Sequence, residues 1–490
     1  MIYDYIIVGA GLGGLTAGLN LAMNDKKVLI LEKNSLPGGL VTTFKRGRFE
    51  FDTSLYELYD YGNEDKIGSV QKIFEKFGLD IETTLIPFNV RIKALDNKDD
   101  YEIKGDIDDF LLELERLKNG SIDSLKEFLK VIKEIHEALK DLENDMFKSE
   151  DYPYFNKYLN VNTLDALDDL KIPKDTIHRL GYLWVYIGSP LNKLSFIDFA
   201  EFMYKLVFKK NVVLNKKNLD LTLKMANNYQ NFGGKIYYRS QVTEIIDLDN
   251  VKQVVTKDGK KYKAKHIICN LSKRYVFKNL IKKENKSVNK LENARTLSPN
   301  GLIVYLGLNK DYESLGLTNY HYYHYQNLNS TINVKSMANL YHSTWEAIVP
   351  NVVNEDASPK NTTILILKTS YMGNVFDNVT RAEYQELKEN LANNLIEQFE
   401  EAYSLDITEY IEEIEIATPF TLKRYTNNPN GAMKGYMRLG YDNAIHRLIS
   451  FKDETIPDIS FVGGSSIFGG GADNAIYSGY FITEKLLEEV

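Results

Sequence analysis

The sequence is poor in cysteine and has no pattern of metal ligands. Its 490 residues include one cysteine, Cys269, and seven scattered histidines. One cysteine excludes a disulfide framework and is typical of proteins from a reducing, cytosolic compartment. The histidines show no ligand spacing beside cysteine or paired acidic residues, so we expect no metal site.

An excess of positive charge is also absent. The net charge is −8, which argues against nucleic acid as a bulk partner. Hydrophobic residues make up 43% of the chain and charged residues 26%, as in ordinary globular proteins. The length predicts two or three domains with ample core. Together with the single cysteine, this ordinary composition leads us to expect a cytoplasmic protein.

One long stretch with almost no charge, residues 6–23, resembles a membrane span or the apolar region of a signal peptide. Asp4 precedes it, no basic segment leads into it, and it contains five glycines. Glycines at this spacing have no purpose in either alternative. The stretch is better explained as a strand followed by a glycine turn and a helix.

That turn has the sequence GAGLGG, and a second strand, VLILE, follows the helix. Gly9 permits the tight turn, Gly11 lets the backbone approach a pyrophosphate, and Gly14 lets the helix pack against the sheet. Glu32 closes the second strand, where an acid accepts hydrogen bonds from an adenosine ribose. The residues predicted to bind the cofactor in this unit are Gly9, Gly11, Leu12, Gly13, Gly14, Glu32 and Lys33.

Further contacts are predicted at three other places in the chain. The doublet Gly38 and Gly39 follows Pro37, and Val242 begins a strand where a backbone amide could pair with adenine. A second strand, glycine turn and helix occur near the C-terminus. The residues predicted to bind there are Gly463, Gly464, Gly471, Asp473, Asn474 and Ala475.

Two such turns suit a long cofactor, with its pyrophosphate at one turn and a ribityl-flavin at the other. This favours FAD over NAD. No further nucleotide fingerprint follows Glu32, so we expect no dedicated NADPH domain.

The middle of the chain is helical and amphipathic over residues 106–146, with a capping-box signature at Ser124 and Glu127. We interpret it as a helical cap. Residues 194–208 are more apolar around the helix. A buried core helix is the simpler interpretation, and the wall of a lipid tunnel or a membrane-facing entry helix is the alternative.

Several segments resemble one family. The stretches DYIIVGAGLGGLTAGLNLA, PGG, RGRFEFDTSLYEL, GGKIYYRSQVTEI, ATPFTLKRYTNNPNGAMKGY and FVGGSSIFGGGADNAIYSGY are similar to the phytoene desaturase-like FAD-dependent oxidoreductases, which include carotenoid isomerases and retinol saturases. The resemblance implies an α/β fold, with a Rossmann-type FAD-binding domain and an inserted mixed α+β substrate domain that carries the cap. We assign residues 1–95, 209–278 and 417–490 to the first domain, and 96–208 and 279–416 to the second.

The sequence departs from the family pattern at three positions. Leu40 stands where many relatives carry an arginine, Gly464 stands where flavoproteins often have an acid, and Tyr56 stands where close relatives have a histidine. Flavin chemistry needs few protein catalytic groups. Tyr56, Arg424 and Tyr425 are the candidates to flank the flavin, and structural hydrogen bonding is their simpler explanation.

The resemblance implies an enzyme that desaturates, saturates or isomerises C–C bonds of a hydrophobic unsaturated lipid, such as a polyene, a retinoid or a fatty acid. Two alternatives stay open: a flavin amine oxidase, and a non-catalytic lipid carrier of the GDP-dissociation-inhibitor type. The partners expected are a small hydrophobic substrate and an electron donor or acceptor of unknown identity. Peripheral contact with a membrane is compatible with this hypothesis, whereas a nucleic-acid partner is not.

Overall fold

The computed structural model describes residues 1–63, 66–209, 211–248, 251–282, 286–440 and 457–488. The main helices span Leu12–Met23, Ser69–Lys76, Ile107–Leu117, Ile122–Glu143, Pro153–Tyr158, Thr163–Asp169, Lys174–Leu180, Trp184–Ile187, Phe196–Phe208, Asn218–Asn231, Lys286–Ala294, Ser330–Ser336, Arg381–Tyr403, Pro419–Thr426 and Ala472–Glu488. These helices surround two large sheets.

The first sheet is built on the N-terminal strand Ile2–Val8. Parallel strands flank it on both sides, Val28–Leu31 on one and Lys261–Cys269 on the other. The complete order places Lys235–Tyr237, Val28–Leu31, Ile2–Val8, Lys261–Cys269, Val251–Thr256 and Val242–Leu248 side by side, with Ile459–Phe461 also paired to Lys261–Cys269. The carboxyl ends of the parallel strands meet at one edge, where an open α/β sheet binds its ligand.

Helices cover one face of this sheet. Leu12–Met23 packs between Asn218–Asn231 and the C-terminal helix Ala472–Glu488. A Cβ added to Gly479 would lie 2.4 Å from the carbonyl oxygen of Gly13, so small residues bring the first and last helices together. The opposite face carries a separate apolar cluster beneath the antiparallel strands.

The second sheet is mixed and also has seven strands. Its order is Ile411–Ala417, Asn300–Leu308, Thr363–Tyr371, Trp345–Ile348, His321–Tyr325, Phe88–Ala94 and Asp99–Gly105. The long helix Arg381–Tyr403 packs on one face. Residues 320–325 have the aromatic sequence YHYYHY. They contribute the strand His321–Tyr325, which runs parallel to Phe88–Ala94. The predicted domain boundary at residue 95 therefore falls inside this sheet, because Phe88–Ala94 is one of its strands.

The helical cap comprises the helices from Ile107–Leu117 to Phe196–Phe208, and it packs against the end of the second sheet. The predicted capping box at Ser124 and Glu127 is wrong. The helix spans Ile122–Glu143 with Ser121 as its N-cap, because Glu115 accepts hydrogen bonds from the N–H groups of Ser121 and Ile122.

The apolar helix Phe196–Phe208 lies inside this cap and presents two different environments. Phe196, Phe199 and Met203 are fully buried in the cap core. Phe202 and Lys205 line a cavity instead. Among the described residues, no helix combines the length and apolarity needed to cross a bilayer.

Candidate functional site

The first glycine turn joins the strand Ile2–Val8 to the helix Leu12–Met23. Gly9 has φ +101°, a left-handed conformation that favours glycine. Gly11 is the N-cap, and no side chain caps the helix. The first helical N–H groups have no acceptor within a helix, and together with the helix dipole they favour an anion. The turn therefore opens a phosphate-binding edge on the sheet.

Glu32 stands beside this turn, directly after the strand Val28–Leu31. One carboxylate oxygen accepts a hydrogen bond from the N–H of Ala10 at 2.8 Å, and the other accepts from the N–H of Asn34 at 2.7 Å. Glu32 is 4% exposed. Each oxygen keeps a lone pair for a further donor, as a ribose site requires.

The loop with Gly38 and Gly39 closes over the same turn. The N–H of Gly38 donates to the carbonyl oxygen of Ala10 at 2.8 Å, and Gly38 forms a bridge with Gly11. Gly38 has φ +110°, and a Cβ there would lie 2.1 Å from the carbonyl oxygen of Val41. The doublet thus forms one wall of the turn.

The C-terminal glycine turn lies against the N-terminal one. A Cβ added to Gly13 would lie 2.8 Å from the backbone nitrogen of Gly463 and 3.1 Å from the carbonyl oxygen of Ala475. The N–H of Gly463 donates to Ser478 Oγ at 2.9 Å, which fixes the turn to the final helix. Two glycine-rich turns from opposite ends of the chain therefore face one space.

Asn270 is the residue between these turns that the sequence did not indicate. It follows the strand Lys261–Cys269, and its N–H donates to the carbonyl of Val8. Its amide nitrogen would lie 2.6 Å from a Cβ on Gly11, and its amide oxygen 2.3 Å from one on Gly463. Only its place after a buried strand could have suggested it, by analogy with Glu32.

A cavity of about 320 Å³ runs from these turns to the second sheet. Thirteen of the sixteen residues predicted to bind the cofactor line it: Gly9, Gly11, Leu12, Gly13, Glu32, Lys33, Gly38, Gly39, Val242, Gly463, Gly464, Gly471 and Ala475. Gly14, Asp473 and Asn474 are the other three. Gly14 faces Asn270 within the fold.

Asp473 and Asn474 instead face the helical cap. Lys205 Nζ donates to Asp473 Oδ2 at 3.2 Å and to Asn474 Oδ1 at 3.1 Å. They begin the helix Ala472–Glu488, so this contact joins the cap to the first sheet.

The three candidate catalytic residues lie at different places. Lys33 Nζ donates to the carbonyl of Arg424, and the side chain of Asn34 donates to the carbonyl of Tyr425. Both residues therefore sit at the Glu32 end, and Tyr425 is 53% exposed. Tyr56 lies in the cavity beside the second sheet, and its hydroxyl donates to the carbonyl of Asp52 at 3.3 Å.

The inner end of the cavity carries two ion pairs from separate elements. Glu57 contacts His321 Nε2, and Lys368 contacts Glu346. Burial alone would raise the pKa of Glu57, but the charge and hydrogen bond of His321 lower it overall. The sequence did not indicate this cluster, because its members come from a loop and three distant strands.

A second, smaller cavity of about 90 Å³ lies between the cap and the final helix. His136 Nδ1 is 2.8 Å from Glu201, and Tyr477 donates to Glu143 at 2.6 Å. The two cavities have four lining residues in common: Tyr186, Lys434, Gly470 and Gly471. In the described parts of the chain, no cluster of three or more His, Cys, Asp or Glu side chains could hold a metal ion.

Comparisons with known proteins agree with this geometry. A sequence profile for the NAD(P)-binding Rossmann-like domain matches residues 7–68. The chloroplastic prolycopene isomerase of Arabidopsis thaliana is 24% identical over all of this chain and 83% of its own length. The all-trans-retinol 13,14-reductase of Danio rerio is 23% identical over 88% of this chain and 77% of its own.

The fold also resembles a solved structure of a putrescine oxidase variant, with a TM-score of 0.66, 12% identity and coverage of 100% and 99% of the two chains. This chain thus has a Rossmann-type domain with two facing glycine turns, joined to a mixed-sheet domain. Over its full length the chain is similar to members of the phytoene desaturase-like family of FAD-dependent oxidoreductases.

Proposed function

We propose that this chain binds FAD and desaturates, saturates or isomerises C–C bonds of a hydrophobic unsaturated substrate. The observation that carries the proposal is the contact between the turns at Gly13 and Gly463, which open together on one cavity. A nicotinamide site of the Rossmann type needs only the first turn. A second turn at the far side supports a longer cofactor.

The residues present fit that cofactor. The free N–H groups after Gly11 suit a pyrophosphate, and the carboxylate of Glu32 suits a ribose. Any side chain on Gly11 would enter the space beside Asn270, so glycine keeps the approach open. FAD would supply the centre that accepts or donates a hydride, and the protein would supply orientation and exclusion of water.

The remaining site residues have narrower proposed roles. Tyr56 lies beside the apolar residues Ile303 and Ile348, and we assign it to orienting the substrate. Arg424 and Tyr425 would instead hold the loop over the nucleotide end, through their carbonyl contacts with Lys33 and Asn34.

We propose two domains, each built on one of the two sheets. A discontinuous cofactor domain would comprise residues 1–87, 209–278 and 417–490, and a substrate domain would comprise 88–208 and 279–416. The relatives named above are an isomerase of prolycopene and a reductase of retinol, which supports an unsaturated, apolar substrate for this chain.

The first test is the absorbance spectrum of the purified protein. We expect a flavin spectrum, and the cofactor released by denaturation should co-migrate with FAD rather than FMN. A colourless protein that cannot be reconstituted with FAD would overturn the proposal and favour a lipid carrier. Anaerobic flavin reduction by simple amines, with none by unsaturated lipids, would favour an amine oxidase instead.

The second test addresses the substrate. Lipid extracts from cells with and without the protein should differ in an unsaturated lipid whose number or geometry of double bonds has changed. Identical extracts from a flavin-loaded, expressing strain would count against lipid chemistry.

A further inference from the structure

Lys434 lies where the two cavities meet, because its side chain lines both of them. Its Nζ donates a hydrogen bond to the backbone carbonyl of Tyr186 and lies 3.3 Å from the centroid of the Tyr186 ring. Within the described residues, no carboxylate is at ion-pair distance from this nitrogen. Among these residues, the contacts of Lys434 Nζ are therefore with a neutral carbonyl and a ring.

The other charges at the inner end of the larger cavity are matched. Glu57 has His321 as its partner, and Glu346 has Lys368. Burial lowers the pKa of Lys434 well below its ordinary value. The positive charges of Lys368 and Arg438 add to this effect, and the carboxylates of Glu346 and Asp473 offset it only in part. An ammonium taken out of water without a counter-ion is costly, so the site favours a ligand that supplies one.

The larger cavity, which contains the two ion pairs, also has apolar lining residues. Leu297, Ile303, Ile348 and Met433 all line this space. An apolar chain can lie against these residues while one end reaches the ammonium. A ligand that satisfies both features is amphipathic, with an apolar body and an anionic end.

We propose that the substrate carries a carboxylate head group, and that Lys434 pairs with it at the junction of the two cavities. This inference rests on the proposed function and names its substrate class. A plain hydrocarbon would leave Lys434 without a counter-ion. An amine would also offer Lys434 no counter-ion, and the nearby carboxylates Glu57 and Glu346 already have cationic partners.

The test compares two ligands that differ only in the head group, linoleic acid and linoleyl alcohol. Each is titrated into the flavin-loaded protein below its aggregation concentration, with the flavin absorbance change as the signal. We expect the acid to bind at least about tenfold more tightly, because the alcohol leaves the buried Lys434 side chain without a charged partner.

Three variants test whether Lys434 causes the preference for the acid over the alcohol. Lys434→Met should lose the preference for the acid while the alcohol binds as before, and Lys434→Arg should retain it. Lys310→Met is the matched control, because Lys310 Nζ also lies over a tyrosine ring, 4.2 Å from the centroid of Tyr410. Lys310 is outside both cavities, so its variant should keep the wild-type ratio.

Equal affinities of the wild-type protein for the acid and the alcohol would overturn the inference, and this measurement needs no variant. An unchanged ratio in Lys434→Met would overturn the role of that residue. Failure of the proposed function is seen separately, as protein without a flavin spectrum before any lipid is added.

Discussion

The carboxylate of Glu32 accepts a hydrogen bond from the backbone N–H of Ala10, in the middle of the first glycine turn, at 2.8 Å. Its other oxygen accepts from Asn34. The acid that would bind the ribose therefore also fixes the turn that would bind the pyrophosphate. The buried carboxylate, a charged acceptor, thereby fixes the position of the ribose site relative to the pyrophosphate site.

Replacing Glu32 with alanine should weaken FAD binding by about 1–3 kcal/mol. It should also destabilise the protein without cofactor, because the buried N–H of Ala10 and the part-buried N–H of Asn34 lose their acceptor. The dissociation constant from flavin fluorescence and a thermal melt of the apoprotein measure the two effects. Glu50→Ala is the control, since its side chain is 47% exposed. Wild-type affinity in Glu32→Ala would refute the role.

Asn270 makes a suppressor experiment possible. Gly11→Ala places a Cβ 2.6 Å from the Asn270 amide nitrogen, although Gly11 has φ −74° and carries no backbone strain. The single variant should melt earlier and lose FAD. Adding Asn270→Ala removes the clash, so the double variant should regain thermal stability of the apoprotein. Additive losses in the double variant would contradict the geometry.

Gly120→Ala separates general stability from cofactor binding. Gly120 has φ +86° in the cap and nothing within 4 Å of an added Cβ. Its replacement should cost about 1 kcal/mol through backbone strain. The FAD content should stay at the wild-type level.

Phe199 and Phe202 should respond differently to aspartate. Phe199 is 0% exposed and packs 6.1 Å from the Phe128 ring, so Phe199→Asp should cost more than about 4 kcal/mol and unfold the cap. Phe202 lines the second cavity, 5.6 Å from the Tyr186 ring. Phe202→Asp should retain FAD and lose lipid association.

Urea unfolding and lipid-dependent flavin perturbation measure these outcomes in the two variants. Phe202→Leu is the apolar control, and it should keep both properties. Loss of flavin in Phe202→Asp would show that this position is core as well.

Glu143 should make stability depend on pH. Burial raises its pKa from 4.5 to about 7, although the hydrogen bond from Tyr477 acts to lower it. The folded state therefore holds the proton more tightly, and the free energy of unfolding should fall as pH rises from 4.5 to 7. The shift corresponds to an upper limit of about 3 kcal/mol in the free energy of unfolding. We expect a smaller loss, because the side chain is partly exposed to solvent.

Unfolding curves across this range should be compared between the wild type and Glu143→Gln, which stays neutral. The neighbouring groups His136, Glu201 and Lys205 are present in both proteins, so the difference isolates Glu143. Glu150→Gln is an exposed control. A wild-type slope in Glu143→Gln would refute the assignment.

The local parts of the site could be predicted from the sequence, because a short segment determines each of them. The first glycine turn, Glu32 and the doublet at Gly38 lie within two strands and a helix that are contiguous in the chain. The hairpin that joins Val251–Thr256 to Lys261–Cys269 likewise follows from its turn residues, Asp258 and Gly259.

The inner end of the cavity could not be predicted, because its geometry depends on which strands become neighbours. Glu346 meets Lys368 only through the pairing of Trp345–Ile348 with Thr363–Tyr371. Asn270 reaches Gly11 only because its strand pairs with Ile2–Val8. Arg424 and Tyr425 were assigned to catalysis by resemblance of their segment, which carries no information about which end of the cavity they occupy.

The contact between Gly13 and Gly463 has a consequence for biosynthesis. The segment with Gly13 leaves the ribosome well before residues 459–488. Until then the first helix lacks the helix that covers it, and the second turn does not exist. Binding of the proposed cofactor would therefore follow the synthesis of this segment. A nascent or truncated chain that ends before Ile459 would expose an apolar helix face to chaperones and proteases.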